Sequence, residues 1–312
     1  MKALVTGCAG FIGSNLSDYL LDLGYNVVGI DCFTDYYATK IKKSNIRYSL
    51  KQKNFRLIKK DILDFSEFPE VDYVFHLAAQ AGVRASWGEN FHIYTKNNIE
   101  ATQKLLDFYK DIEIRKFVYS SSSSVYGDSN LPMNEKSLLK PVSPYGVSKL
   151  SAEHLTYLYW KNYNVPTVSL RYFTVYGPRQ RPDMAINKFT KAILNKEEIK
   201  VYGDGSQTRD FTYVKDVIKA NLMAAESEFA GEIFNIGGGN QISISELIEK
   251  LEEFTGEKAM INKLEKQKGD VRETLADIEK VHKLLKWSPK VRIDEGLLNY
   301  IEWVNKTSRI DK

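Results

Sequence analysis

Cysteine and histidine are scarce in this chain of 312 residues, which has two cysteines and four histidines. So few cysteines exclude a disulfide framework and a Cys-x-x-Cys metal pair, and the histidines are scattered without ligand spacing. We therefore expect no metal site. No apolar run approaches the roughly 20 residues of a membrane span, and the chain begins in a strand-like segment, not in a signal peptide. A cytoplasmic protein without a membrane segment is predicted.

An excess of charge of one sign is also missing. The 44 basic and 40 acidic residues are spread along the chain and leave a net charge of +4. This balance is too mild and too mixed to predict a nucleic-acid partner, although anionic small molecules remain possible ligands. Hydrophobic residues make up 43% of the chain and charged residues 27%, as in ordinary globular proteins. The length predicts one composite unit or two domains.

A glycine-rich loop near the N-terminus predicts a dinucleotide site. Three glycines spaced Gly-x-x-Gly-x-x-Gly, from Gly7 to Gly13, follow a short β-type run and precede a helical pattern. Glycines in this position let the backbone turn tightly and approach a pyrophosphate at the helix N-terminus. The next apolar run ends at Asp31, whose carboxylate suits the diol of an adenosine ribose and repels a 2′-phosphate. NAD is therefore favoured over NADP.

A tyrosine and a lysine form the second motif. Tyr145 and Lys149 are four residues apart, and Pro144 is typical of the start of a helix, so both side chains are predicted on one face. An ammonium near a phenol lowers its pKa from about 10 toward neutrality. Such a phenol can act as a general base toward an alcohol. The serine run Ser120 to Ser124 follows a predicted strand and supplies candidate hydroxyl donors.

Together these motifs resemble the extended branch of the short-chain dehydrogenase/reductase superfamily, and the resemblance covers almost the whole sequence. It implies an α/β fold: a Rossmann-type doubly wound parallel sheet with a smaller, mixed α/β C-terminal substrate-binding domain. The predicted domains are an NAD-binding domain at 1–170 with a return segment at about 211–236, and a nucleotide-sugar domain at 171–210 and 237–312.

The resemblance also implies roles for single residues. Tyr145 as a phenolate takes the proton from a sugar hydroxyl at C4, while the hydride from C4 passes to NAD. Lys149 keeps the phenol acidic and holds the nicotinamide ribose, and Ser122 shares the hydroxyl's hydrogen bond. The implied cofactor-binding residues are Gly7, Gly10, Phe11, Ile12, Gly13, Asp31, Asp61, Ile62, Leu77, Ala78, Ala79, Asn98, Tyr145, Lys149, Tyr172 and Val175.

The fate of the 4-keto sugar separates the enzymes of this family. The segment from Arg171 to Pro182 is typical of nucleotide-sugar epimerases, dehydratases and decarboxylases. Dehydratases carry an Asp-Glu pair where Ser123 and Ser124 stand here, and UDP-glucuronate decarboxylases typically carry Glu in place of Ser124. A serine cannot replace either carboxylate near pH 7. A 4-epimerase is favoured, because its keto sugar only has to rotate and take the hydride back on its other face.

The substrate is predicted from the same segment. Thr174 stands where most relatives have Asn, and Arg181 follows, a combination similar to UDP-glucuronic acid 4-epimerases. There the threonine and the arginine hold the C6 carboxylate; Arg84 is a secondary candidate. The predicted reaction is the NAD-dependent conversion of UDP-glucuronate to UDP-galacturonate. The implied substrate-binding residues are Arg84, Ser122, Ser123, Thr174, Arg181 and, as diphosphate ligands, Arg209 and Arg272.

Several alternatives remain open at this point. The chain could be a 4-epimerase of UDP-glucose or UDP-N-acetylglucosamine, a UDP-glucuronate decarboxylase, a dTDP-sugar dehydratase or a non-enzymatic NAD-binding regulator. The intact set of serine, tyrosine and lysine argues against a pure binder, which has no need of a base. Relatives commonly dimerise through the helices that correspond to 91–109 and 145–163, so a homodimer is expected.

Overall fold

The computed structural model describes residues 1–265 and 267–310, and the side chains as far as residue 307. The strands are β1 (Lys2–Thr6), β2 (Asn26–Ile30), β3 (Phe55–Ile58), β4 (Tyr73–His76), β5 (Lys116–Ser122), β6 (Thr167–Tyr172), β7 (Thr174–Tyr176), β8 (Glu198–Tyr202), β9 (Thr208–Tyr213), β10 (Glu232–Ile236), β11 (Gln241–Ser243) and β12 (Met260–Leu264). The α-helices are α1 (Phe11–Asp22), α2 (Thr39–Asn45), α3 (Phe91–Tyr94), α4 (Ala101–Tyr109), α5 (Pro144–Tyr163), α6 (Ala185–Asn195), α7 (Val214–Glu226), α8 (Ile244–Thr255), α9 (Glu279–Leu285) and α10 (Ile293–Ile310).

A parallel sheet forms the larger layer of the described residues. Its strand order is β10-β6-β5-β4-β1-β2-β3, and helices cover both faces, so β5 and β6 are buried along their whole length. The register pairs Thr6 with Ile30 on one side and with His76 on the other. The carboxyl ends of these strands therefore meet at one edge, at the point where the strand order reverses and ligands bind in such folds.

The smaller layer contains short strands and the later helices. β11, β9 and β7 form one small sheet, and β12 and β8 form another. Apolar side chains of β7, β8, β9 and β11 share a core with α6, α8 and α10. This arrangement confirms the predicted α/β fold class. The domain boundaries remain a prediction, and residues 266, 311 and 312 of the predicted range 237–312 lie outside the described residues. Within the described ranges, no helix is both long enough and apolar enough to cross a membrane.

The helix that carries Tyr145 begins as the sequence indicates. The Ser143 hydroxyl accepts a hydrogen bond from the backbone N–H of Gly146, and Pro144 occupies the first helical position. The helix ends at Asn164, which adopts the left-handed conformation. Both signals are local, and they fix where the helix begins and ends.

The predicted single helix at 91–109 is interrupted. A π-helical segment, Thr95–Glu100, separates α3 from α4. Its wider turn brings the Asn98 amide to the backbone of Gln80, where it accepts from the N–H at 2.7 Å and donates to the carbonyl at 3.1 Å. The same amide donates to the Ser148 hydroxyl at 2.8 Å. Segments of this kind often occur at functional sites.

A buried ion pair lies beneath the carboxyl edge of the sheet. Arg171 on β6 donates from Nη2 to Glu153 Oε1 at 2.6 Å and from Nε to Oε2 at 3.0 Å. Both side chains are 1% exposed, and the Ser121 hydroxyl donates to the same carboxylate at 2.5 Å. The pair therefore ties α5, which carries Glu153, to two strands of the sheet.

Candidate active site

The glycine-rich loop forms a cradle in which side chains would collide. Gly7 has a φ of +68°, and a Cβ there would lie 2.9 Å from the backbone nitrogen of Ala78. A Cβ on Gly13 would collide with the carbonyl of Gly7. Asp31, at the end of β2, accepts from the backbone N–H of Ala9 at 3.0 Å and so holds the loop in place. The cradle and the adjacent carboxylate fit the diphosphate and the ribose of a dinucleotide.

A buried hydrogen-bond network holds the backbone in place at the end of β4. The Thr6 hydroxyl accepts from the backbone N–H groups of Leu77 at 3.2 Å and Ala78 at 3.1 Å. It also lies 2.8 Å from Nδ1 of His76, whose Nε2 lies 2.9 Å from the Thr102 hydroxyl. Burial lowers the pKa of His76 to about 3, so this ring stays neutral. His76 therefore serves the shape of the site and not proton transfer.

An open cavity lies over the carboxyl ends of these strands. The predicted cofactor residues that line it are Gly7, Gly10, Phe11, Ile12, Gly13, Asp31, Asp61, Ile62, Leu77, Ala78, Ala79, Tyr145, Lys149 and Tyr172. Asn98 and Val175 are not among its lining residues. Val175 is buried in the core, and Asn98 is bonded to the backbone of Gln80, which does line the cavity. A direct cofactor contact for Asn98 and Val175 is therefore not supported by the structure.

The three predicted catalytic residues lie close together. The Ser122 hydroxyl is close enough to the phenol of Tyr145 to lower its pKa. Lys149 Nζ donates to the backbone carbonyl of Ser120 at 2.5 Å and lies 4.4 Å from the ring centroid of Tyr119. Tyr145 and Lys149 line the same cavity. The arrangement can hold a sugar hydroxyl and move its proton.

Burial and neighbouring charges shift the pKa values of the tyrosine and the lysine. Burial raises the pKa of Tyr145, and the Ser122 hydrogen bond and the Arg181 charge offset part of that rise. Burial lowers the pKa of Lys149 to about 7, although Glu153 opposes the change. The Lys149 amine donates to the Ser120 carbonyl, and its predicted effect on the pKa of Tyr145 remains a prediction. Arg181 is the cation that favours the phenolate.

Arg181 lines the cavity beside Tyr145 and is held by a neighbouring carboxylate. It donates from Nε to Asp183 Oδ1 at 2.9 Å and from Nη2 to Oδ2 at 3.0 Å. The Tyr36 hydroxyl, from the loop after β2, donates to the same Oδ2 at 3.1 Å. Sequence reasoning missed Tyr36 and Asp183. The only signals were the tyrosines after Asp31 and a carboxylate two residues after Arg181 in the same motif.

The other predicted arginines, Arg84, Arg209 and Arg272, do not line this cavity and lie near one another. Arg84 Nη2 donates to Asp270 Oδ2 at 2.6 Å, and its guanidinium lies 4.1 Å from the Tyr202 ring centroid. Arg209 Nη1 donates to the backbone carbonyl of Arg272 at 3.2 Å, and the Arg84 charge acts on Arg209. Arg84 therefore joins the predicted diphosphate arginines. Its candidate role at the carboxylate remains a prediction that the structure does not favour, because Arg181 lines the cavity beside Tyr145 and Arg84 does not.

The remaining substrate candidates flank the cavity without lining it. Ser122 ends β5, and its hydroxyl accepts from the backbone N–H of Ser124 at 3.1 Å. Ser123 begins the short 3-10 turn that follows. Thr174 is the first residue of β7 and is half-buried. The Tyr172 hydroxyl, which belongs to a residue that lines the cavity, lies 3.1 Å from the Ser120 hydroxyl.

Comparison with known proteins gives a consistent result. The family model described as GDP-mannose 4,6 dehydratase matches residues 4–299. A UDP-glucuronate 4-epimerase from Thermodesulfobacterium geofontis is 41% identical over 99% of this chain and 98% of that protein. The structure of UDP-glucuronic acid 4-epimerase from Bacillus cereus with UDP-glucuronic acid and NAD is 44% identical, with 98% and 100% coverage and a TM-score of 0.95. The UDP-glucose 4-epimerase from Thermotoga maritima with UDP-glucose is 36% identical, with 99% and 100% coverage and a TM-score of 0.90.

Proposed function

Because this chain belongs to the GDP-mannose 4,6 dehydratase family of extended short-chain dehydrogenase/reductases, we propose that it is an NAD-dependent isomerase that epimerises UDP-glucuronate at C4 to UDP-galacturonate. The observation that carries the proposal is the position of Arg181 in the same cavity as Tyr145. A cation so close to the base suits a sugar whose carboxylate, at C6, is near the reacting C4 hydroxyl.

Tyr145, Ser122 and Lys149 have different roles at the C4 hydroxyl in this proposal. When bound, NAD supplies the hydride acceptor and donor, and its positively charged nicotinamide ring favours a phenolate nearby. Tyr145 as phenolate removes the proton of the C4 hydroxyl, and Ser122, whose hydroxyl acts on the pKa of the phenol, holds the C4 oxygen. Lys149, with a pKa lowered to about 7 by burial, can give or take a proton near neutrality. The reverse transfer from Tyr145 completes the reaction after the keto sugar has rotated.

The serines after Ser122 argue against elimination, despite the description of the family model. Loss of water from a neutral 4-keto sugar needs a further acid and base next to the reacting carbons. Ser123 and Ser124 occupy the positions of the dehydratase carboxylates, and their hydroxyls stay protonated near pH 7. The site therefore has a base for the C4 hydroxyl and lacks a matched pair of carboxylates at these two positions.

The proposed substrate contacts follow from the two groups of arginines. Arg181, with Thr174, binds the C6 carboxylate in this proposal, because a guanidinium donates parallel hydrogen bonds to a carboxylate. Arg209 and Arg272 bind the diphosphate, and Arg84 lies with them. The proposed cofactor contacts are those of the residues that line the cavity around the glycine-rich loop.

We also propose a homodimer. The α5 helix exposes apolar side chains that a partner helix could cover, each between 43% and 54% exposed: Val147, Tyr157, Leu158 and Tyr163. Light scattering of the purified protein checks this proposal, with an expected mass of twice the chain's 35.8 kDa. The cytoplasmic location and the lack of a nucleic-acid partner remain predictions.

A second candidate, 4-epimerisation of UDP-glucose, is favoured by one observation. Asp183 already neutralises Arg181, so a neutral sugar would not meet an unpaired cation. A neutral sugar would leave the remaining N–H donors of Arg181 without a carboxylate. Its binding is therefore disfavoured relative to the binding of a uronate. The proposed function predicts turnover of UDP-glucuronate, and the second candidate predicts turnover of UDP-glucose.

Product analysis by proton NMR separates the candidates. The purified protein is incubated with UDP-glucuronate, UDP-glucose or UDP-N-acetylglucosamine without added NAD. Growth of UDP-galacturonate to a stable mixture supports the proposed function and shows that bound NAD is recycled. Conversion of the neutral sugars alone would support the second candidate, and a UDP-pentose with CO2 would identify a decarboxylase. The Tyr145→Phe variant serves as the matched inactive control.

A further inference from the structure

Asp183 leaves one half of the Arg181 guanidinium free. The Nε and Nη2 atoms that contact Asp183 form the side-on fork of the group. The N–H groups of Nη1, together with the second N–H of Nη2, form the end-on fork. Nη1 makes no hydrogen bond to any residue in the ranges 1–265 and 267–310, and Arg181 lines the cavity. The end-on fork can therefore receive a second carboxylate while Asp183 stays bound.

Asp183 is itself held from a distant part of the chain. The Tyr36 hydroxyl donates to Asp183 Oδ2, and it fits there because Gly82 has no Cβ, which would collide with that hydroxyl. Burial acts to raise the pKa of Asp183, but Arg181 and Tyr36 hold it below its usual value, so the carboxylate remains charged. Three loops meet at this contact, which limits the movement of the guanidinium.

We propose that Asp183, supported by Tyr36, is a positioning residue that fixes the end-on fork of Arg181 toward the C6 carboxylate of the sugar. This inference rests on the proposed function and deepens it. The arrangement places Arg181 between two carboxylates, one from the protein and one from the substrate. The planar fork then holds C6 in one place relative to Tyr145.

The consequence concerns the fate of the 4-keto sugar. With a ketone at C4 and a carboxylate on C5, this intermediate is a β-keto acid. If it loses CO2, the C5–C6 bond breaks, its electron pair forms the enolate of the C4 ketone, and a proton from water adds at C5. The resulting UDP-4-keto-pentose becomes a UDP-pentose when the hydride taken from C4 is returned. That step needs the C5–C6 bond to swing perpendicular to the carbonyl plane, and it gives up the ion pair with Arg181. A fixed guanidinium opposes both changes, so Asp183 protects the epimerisation from decarboxylation.

The test uses the holoenzyme with Asp183→Asn and Tyr36→Phe. With UDP-glucuronate, Asp183→Asn should raise KM about tenfold and raise the ratio of UDP-pentose plus CO2 to UDP-galacturonate by about tenfold, because a loosened guanidinium misplaces the carboxylate. Tyr36→Phe should shift both quantities in the same direction by less. The kcat/KM for UDP-glucose should change less than twofold in both variants. The readouts are proton NMR of the products and release of labelled CO2.

A neighbouring ion pair supplies the matched control. Arg179 Nη2 donates to Asp18 Oδ2 at 2.6 Å and anchors the same loop to α1 without touching Arg181. Asp18→Asn should leave the product ratio unchanged. If decarboxylation increased as much in Asp18→Asn as in Asp183→Asn, the proposal would be overturned, because the anchoring of the loop would then explain the increase. A lower KM in Asp183→Asn would also overturn it, because Asp183 would then compete with the substrate. If the unmodified enzyme epimerises UDP-glucuronate and Asp183→Asn behaves identically, only this inference fails; if the unmodified enzyme does not turn over UDP-glucuronate, the proposed function fails too.

Discussion

Lys149 should destabilise the fold that it serves, and Lys149→Met should therefore increase stability. The side chain is 3% exposed, and burial lowers its pKa to about 7 from the model-peptide value of 10.5. Each pKa unit corresponds to about 1.4 kcal/mol, so a charged Lys149 costs on the order of 5 kcal/mol. Methionine leaves the Ser120 carbonyl without its donor, at a cost of about 1–3 kcal/mol. The expected net gain is about 2–4 kcal/mol at pH 6.

The gain should depend on pH in a defined direction. The lysine titrates near 10.5 when unfolded and near 7 when folded, so between these values the unfolded chain holds a proton that the folded chain has lost. Stability therefore rises with pH across this window, and the destabilisation is complete only below pH 7. At pH 9 about 2 kcal/mol of it remains, which the lost hydrogen bond offsets. Urea unfolding of both proteins at pH 6, 7.5 and 9, after removal of bound nucleotide, measures the difference.

Lys43→Met is the control, because Lys43 is exposed. The free energy of unfolding of this variant should differ from that of the unmodified protein by the same small amount at every pH. If Lys149→Met shows a constant difference from pH 6 to pH 9, or is less stable at pH 6, the reasoning from burial is refuted. We expect the Lys149→Met protein to be inactive, so a gain in stability would mark a residue kept for chemistry.

Three further substitutions test the site and its support. Tyr145→Phe should lower kcat by about 10²–10⁴ without changing the NAD content measured by absorbance of the released nucleotide; comparable activity would contradict the assignment of the base. Arg181→Ala should raise KM for UDP-glucuronate by about 100-fold and affect UDP-glucose far less. Equal losses on both sugars would place Arg181 with the diphosphate or the fold. Glu153→Gln leaves the Arg171 charge buried without its partner, so the free energy of unfolding in urea should fall by about 3–5 kcal/mol. An unchanged unfolding midpoint would show that the ion pair contributes little.

The features that the sequence predicted correctly are those with a local cause. The glycine-rich loop needs Gly7 because a positive φ and a close backbone contact exclude other residues there. The start of α5 depends on Ser143 and Pro144, which act within one turn of the helix. The short β-type run before Gly7 and the apolar run that ends at Asp31 likewise carry a local signal, and they form β1 and β2.

The features that were missed depend on contacts between distant segments. Tyr36 and Asp183 are 147 residues apart, and Arg84 and Asp270 are 186 apart. No periodicity or motif encodes such a meeting of loops. The direction of the Lys149 amine, toward the Ser120 carbonyl, likewise depends on how α5 packs on β5. Spacing alone identified the pair of Tyr145 and Lys149 but not the charge that acts on the phenol.

The late arrival of β10 has a consequence for synthesis on the ribosome. This strand, Glu232–Ile236, pairs with β6 and closes that side of the sheet. Until it has emerged, β6 presents unpaired backbone groups and apolar side chains, the kind of edge that recruits other chains into aggregates. A nascent chain that stalls before residue 236 should therefore depend on chaperones, although it already contains the complete glycine-rich loop.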